Sequence, residues 1–265
     1  MKLKRFGVAT AALALALTAG CGGGSGSGSA TADSGDLTKA NFASEVTKAQ
    51  SAAETAHLEA KVGASGQQMS MSGDMRMRKQ DLAFDLAMTG GAMGGEARFI
   101  LVDQVVYAKM PGLSQGDKYI KVDMAEGDNP AAQMFQQMMS QFDPSKTFQG
   151  FKAATQVQER GTQEIDGVET TRYAVTVDTR KALKAQGMDQ QVPSGQMPKT
   201  IKYDVWVDAD NLVRKLVMNV QGNSVDMTLS QWGEPVEITA PPANQTTDIE
   251  QMMGQMGGSA PKPRS

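Results

Sequence analysis

The chain has 265 residues, with 26 Lys and Arg against 29 Asp and Glu for a net charge of −3, one His, one Cys and 19 Met. Three of the basic residues, Lys2, Lys4 and Arg5, sit at the N-terminus, so the remainder is more acidic still; that balance argues against nucleic acid and against polybasic docking on anionic lipid. A lone cysteine has no disulfide partner, and stability must therefore come from a packed core.

In chain order, the basic start is followed by the apolar stretch Phe6 to Leu17, too short to anchor across ~30 Å of hydrocarbon. Thr18-Ala19-Gly20-Cys21 then leads into a glycine-serine run. This pattern resembles a lipobox, with Cys21 thioether-linked to diacylglycerol and Thr18 standing where Leu is usual. The expected divisions are a lipoprotein signal peptide (1–20), a lipidated Cys21 with a Gly/Ser tether (21–36), one domain (37–248) and a flexible Met/Gly/Pro tail (249–265).

Thr38 is placed to cap a helix whose apolar positions Phe42, Val46, Ala49 and Ala53 recur at helical spacing up to about Thr55. The period then becomes two. Leu58, Ala60, Val62 and Ala64 alternate with polar residues, as do Met69, Met71, Met75 and Met77 around Gly73. After Lys79-Gln80 come Leu82, Phe84, Leu86 and Met88, and after the glycine-rich turn at 90–95 come Ala97, Phe99 and Leu101. This predicts an antiparallel meander with one dry and one wet face. Tyr119 to Val122 reads as a short strand, and Pro130 to Pro144 as a helix carrying Met134, Phe135, Met138 and Met139. A strand near Thr155 to Arg160 turns at Asp166-Gly167 into Tyr173, Val175 and Val177. A short helix at Thr179 to Gln186 precedes three strands, through Ile201 to Val207, Leu212 to Val220 and Val225 to Leu229. Roughly ten strands and three helices in this order predict an α+β fold: a large curved antiparallel sheet with helices on its dry face.

Enzyme motifs are missing. There is no HExxH, nucleophile elbow or phosphate-binding glycine loop, and His57 at a helix-to-strand junction lacks a neighbouring nucleophile in sequence. We expect no catalytic residue, no cofactor and no metal motif. Methionine is the unusual component, and it supports three readings: an ordinary core, a soft apolar ligand cavity, or thioether coordination of Cu(I). Met69-x-Met71 and Met75-x-Met77 place sulfurs on one strand face about 6.6 Å apart along the backbone. Against copper, the same pattern continues into Leu82, Phe84, Leu86 and Met88, and neither a second His nor a free Cys supplements the thioethers.

The layout resembles the LppX/LprG-type lipoproteins of actinobacteria, within the LolA-like superfamily. The resemblance runs from Leu37 to about Asp248. It rests on the lipobox and tether, the helix Phe42 to Thr55, Val106-Tyr107-Ala108-Lys109 with Lys118-Tyr119-Ile120-Lys121-Val122-Asp123, Asp166 to Tyr173, and the ending Gly233 to Pro242. It implies a U-shaped half-barrel whose concave face, covered by helices, encloses a cavity for acyl chains. It implies a non-enzymatic lipid or glycolipid carrier on the outer face of the cell membrane, with an envelope transporter as a candidate partner. On that basis the expected cavity residues are Met69, Met71, Met75, Met77, Leu82, Phe84, Leu86, Met88 and Phe99 from the sheet, with Met134, Phe135 and Met138 as a movable cover. The alternatives are a Met-rich Cu(I)-binding envelope protein and a solid-core structural or sensor lipoprotein.

Overall fold

A computed structural model describes residues 37–64, 66–78, 81–91, 94–112, 114, 116–125, 133, 150–185 and 197–249. The expected leader, Cys21, the tether, the 130–144 helix with Met134, Phe135 and Met138, and nearly all of the tail lie outside these residues.

The chain begins with helix α1 (Phe42–Ala53), followed by strands β1 (Thr55–Ala64), β2 (Gln67–Arg78), β3 (Asp81–Gly90), β4 (Ala97–Val102), β5 (Val105–Lys109) and β6 (Tyr119–Asp123). A 3-10 turn (Gly150–Ala153) opens the second half, with β7 (Ala154–Ile165), β8 (Val168–Asp178), helix α2 (Thr179–Ala185), β9 (Thr200–Asp208), β10 (Val213–Val220) and β11 (Asn223–Ser230). A second 3-10 turn (Ala243–Gln245) leads into β12 (Thr246–Asp248). All twelve strands form one open sheet in the order β12-β6-β5-β4-β3-β2-β1-β11-β10-β9-β8-β7. Two meanders therefore run outward from a central pair, β1 against β11.

Local chemistry sets these boundaries. Asn41, not Thr38, precedes α1; its Oδ1 accepts from the Thr38 N–H at 2.6 Å, and the Phe42 N–H donates to the Thr38 carbonyl at 2.9 Å. The helix ends at Ala53 because Glu54 turns into the left-handed region (φ 64°). Asp166-Gly167 is the hairpin turn between β7 and β8, both residues at positive φ, as the primed turns require. Gln221-Gly222 makes the same kind of turn between β10 and β11, and Asp103-Gln104 makes it between β4 and β5 without glycine. At β10 the register against β9 shifts between Val213 and Lys215, which lets Val213 and Leu216 both join the core.

The sheet is mixed, not wholly antiparallel, since β12 pairs with β6 in parallel. After β11 the chain must pass from the middle of the sheet to its far edge, and a strap, residues 231–245, makes that passage. Ile238 is buried with Ala83, Ile100, Val102, Tyr107 and Tyr119, and Val236 packs beside it. The meander's expected wet face is therefore covered over β3 to β6, with Ala83 fully buried.

Candidate ligand-binding face

Directly opposed residues in an antiparallel ladder point to the same side, so the registers trace single rows across the sheet. One row runs Tyr173–Val205–Leu216–Met227–Ala60–Met71–Met88–Ala97. The next along the strands contains Leu229–Leu58–Gly73–Leu86–Phe99–Ala108–Ile120. A third contains Ala56–Met75–Phe84–Leu101–Val106–Val122. All these residues except Gly73 are apolar, and together they make one face that spans both meanders.

Burial of the face is uneven. Over β8 to β11 and β1, α1 and the 3-10 turn bury it. Phe42 meets Phe151 and Tyr173 edge-on, each with ring centroids 5.5 Å apart, and Phe151 meets Tyr203 at 5.6 Å. Val46, Val175, Val205 and Val213 lie in the same buried cluster. Burial also pushes the Tyr203 phenol pKa above its ordinary value of 10.0. On β2 and β3 the face is only half-buried.

The sheet residues singled out from sequence share that half-buried region. Met69 lies between Val62 and Gly90, Met71 between Ala60 and Met88, Met75 between Ala56 and Phe84, and Met77 opposite Leu82. Met71, Met75, Met77 and Leu86 pack against the larger cluster. Phe84 and Phe99 pack against a smaller one formed by Leu101, Val106, Ala108, Ile120 and Val122. Met88 is half-buried, and Leu82 is exposed at the β2–β3 end (40%). Met218 and Met227, which also alternate in the sequence but are not among the candidates named from it, occupy the same face. Val106 and Ala108 lie on that face too, on β5, a strand the sequence pattern does not disclose.

Close approach of β2 and β3 explains the gap in the methionine pattern. Gly73 has φ 154°, and a Cβ there would lie 1.9 Å from the Asp85 carbonyl oxygen. Glycine is obligatory at that point.

The opposite face over β1 to β4 also carries cross-strand polar pairs, beside the apolar cluster under the strap. His57 Nδ1 lies 2.6 Å from Asp74 Oδ1, and Ser72 Oγ lies 3.5 Å from His57 Nε2. The order Ser–His–Asp is that of a hydrolytic triad. However, β1 and β2 are paired on both sides here, so their N–H groups are committed to ladders, and the serine contact is long. The group acts as a cross-strand clamp. Arg98 grips Asp85 through two bonds of 2.7 Å, and that hydrogen bonding raises its pKa further above the usual arginine range. On the second meander, Trp206 lies beneath Arg172 and Lys215. Among the described residues, no group of three or more His, Cys, Asp and Glu side chains is placed to hold a metal ion.

Comparison with known proteins bears on this architecture. The family model described as LppX_LprAFG lipoprotein matches residues 38–238. The chain belongs to that family. The lipoarabinomannan carrier protein LprG of Mycobacterium tuberculosis is 24% identical over 178 residues, 66% of this chain and 68% of that one. The LprG of Mycobacterium bovis matches to the same extent. The crystal structure of LprF from M. bovis superposes with a TM-score of 0.55 at 18% identity, covering 77% of this chain and 97% of that one. LppX of M. tuberculosis gives 0.48 at 17% identity, over 76% and 99%. The LprF match shows a shared fold, an open sheet with few helices. Members of the LppX_LprAFG family are envelope lipoproteins, and no helix among the described residues is long and apolar enough to cross a membrane.

Proposed function

We propose that this protein is a non-enzymatic carrier that takes up the acyl chains of a lipid or glycolipid on the apolar face of its sheet. It is tethered to the outer face of the cell membrane through diacylglyceryl-Cys21. One observation carries the reading: a single apolar face spans both meanders, sealed beneath α1 on one side and only half-buried across the methionine-rich strands β2 and β3. A solid core would bury both halves alike. An acyl chain that crosses water bare forfeits about 0.8 kcal/mol for each CH2, and a face of this kind shields such chains without covalent chemistry. Methionine suits the task because its unbranched, polarizable side chain adapts to chains of differing shape. The name of the LprG relative, a lipoarabinomannan carrier, supports the same class of cargo.

The test is mass spectrometry of organic extracts from the full chain, purified without detergent from an actinobacterial host. A defined lipid in stoichiometric amount is the expected result, together with a reduced yield from a folded Met71→Trp variant, whose indole fills space beside Ala60 and Met88. A clean extract from the folded wild-type chain would overturn the carrier reading. Lipid loading unchanged in Met71→Trp would remove the methionine region from the site.

A further inference from the structure

Five polar or charged residues of the described chain are buried: Gln50, Thr55, Thr170, Thr179 and Asp208. Three of them are accounted for by hydrogen bonds. Thr55 donates to the Glu234 carbonyl, Thr170 donates to the Gln163 carbonyl, and Asp208 accepts from Arg214 and from two backbone N–H groups. Thr179 has only its hydroxyl without a partner. Gln50 is different: it is 4% exposed, and both Nε2 and Oε1 lack a partner among the described residues. Burying a whole amide with neither group paired is costly, and native proteins rarely keep such a group without a use for it.

Its place in the fold is specific. Phe42, Val46 and Gln50 recur every four residues and form the buried stripe of α1, the helix that covers the apolar face. Leucine there would continue the stripe with no polar cost. One turn after Gln50, the Glu54 carbonyl accepts the Met77 N–H at 2.7 Å, so this end of α1 meets β2 beside the methionine region. Gln50 thus lies one helical turn before the point where the chain leaves α1 and runs beside Met77 of β2.

We propose that Gln50 is the polar anchor of the ligand site, its Nε2 donating to a fatty-acyl ester carbonyl and its Oε1 accepting from a neighbouring hydroxyl. The ligand class is a neutral, partially acylated polyol, an ester beside a free hydroxyl. An amide offers one donor group and one acceptor and no charge. Among the described residues the one buried charge is the anion Asp208, so they offer no buried cation to neutralise a phosphate drawn into the site. Apolar pockets orient their ligands through such isolated polar groups.

This inference rests on the carrier reading, and the experiment separates the two. The full chain is titrated with dioleoylglycerol and with its dialkyl ether analogue, which keeps the hydroxyl and the chains but lacks both ester carbonyls. The variants are Gln50→Leu and the near-isosteric Gln50→Met, each checked by thermal melting. In both variants the expected result is about a tenfold loss of affinity for the ester, a smaller loss for the ether, which keeps only the hydroxyl that pairs with Oε1, and a melting temperature no lower than wild type. Ester affinity equal to wild type in the folded Gln50→Met chain would overturn the anchor while leaving the carrier intact. A wild-type chain that takes up neither probe would overturn both.

Discussion

At Gly73 the neighbouring strand β3 occupies the space a side chain would need, and the geometry sets the scale of the cost. A methyl group would lie 1.9 Å from the Asp85 carbonyl oxygen, an atom of the neighbouring ladder that cannot swing aside. We expect Gly73→Ala to cost about 3 kcal/mol of stability. Gly66→Ala, which also has positive φ but meets nothing within 4 Å, should cost about 1 kcal/mol. Urea titration of the two variants checks the contrast. Tyr203 makes a separate prediction about pH. Its burial raises the folded phenol pKa above the unfolded value of 10.0, so its contribution is complete below that pH. The contribution declines as pH rises past 10 toward the raised folded value, because the unfolded chain then sheds the proton more readily. Stability measured from pH 9 upward should fall less steeply in Tyr203→Phe than in wild type; equal slopes would mean that the phenol is not shielded.

At the scale of elements, the strap matters most. Ile238 is buried on the outer side of β3 to β6, and Val236 beside it is half-buried. Truncating Ile238 to Ala should therefore cost about 3 kcal/mol and Val236→Ala distinctly less, measured by thermal or urea unfolding; near-equal losses would show that the strap is held by its backbone alone. The elements differ in how far the sequence discloses them. Helix α1 and strands β1 to β4 were legible because their apolar periods are clean, and the β7–β8 hairpin because Asp166-Gly167 is a primed-turn dipeptide. β5 was not recognised as a strand: it has five residues and is joined to β4 by Asp103-Gln104, a turn that carries no glycine or proline. β12 was hidden for another reason. Thr-Thr-Asp has no strand pattern of its own, and its parallel pairing with β6 exists only because the strap delivers it to that edge. The covering of the supposed wet face follows from the same event, which no local period encodes.

For the molecule as a whole, the candidate site was legible as a face and not as a set of depths. Alternation identified Met69, Met71, Met75, Met77, Phe84, Leu86, Met88 and Phe99 as neighbours on one side. It could not say that α1 seals the second meander and leaves these residues half-buried, because that depends on a helix packing across strands more than a hundred residues away. Nor does apolar patterning pick out Gln50, whose importance appears only once its amide is seen buried without a partner. Attachment belongs to this scale too. If Cys21 carries the anchor, Cys21→Ala should abolish incorporation of labelled palmitate and release the intact, folded protein from the membrane fraction; retention of label would place the acyl chain elsewhere.

The junction of the two meanders has a consequence for how the chain reaches its native state. β1 and β11 are adjacent in the sheet, with His57 opposite Ser230, yet nearly the whole domain lies between them in sequence. As the chain emerges from N-terminus to C-terminus, β1 can pair with β2 at once but keeps a bare hydrogen-bonding edge until β11 arrives. Such long-range closure is slow, and an open edge invites pairing with a second chain in the meantime. The ladder at the centre of the sheet can form only after nearly the whole domain has emerged, and until it does the nascent chain is exposed to aggregation.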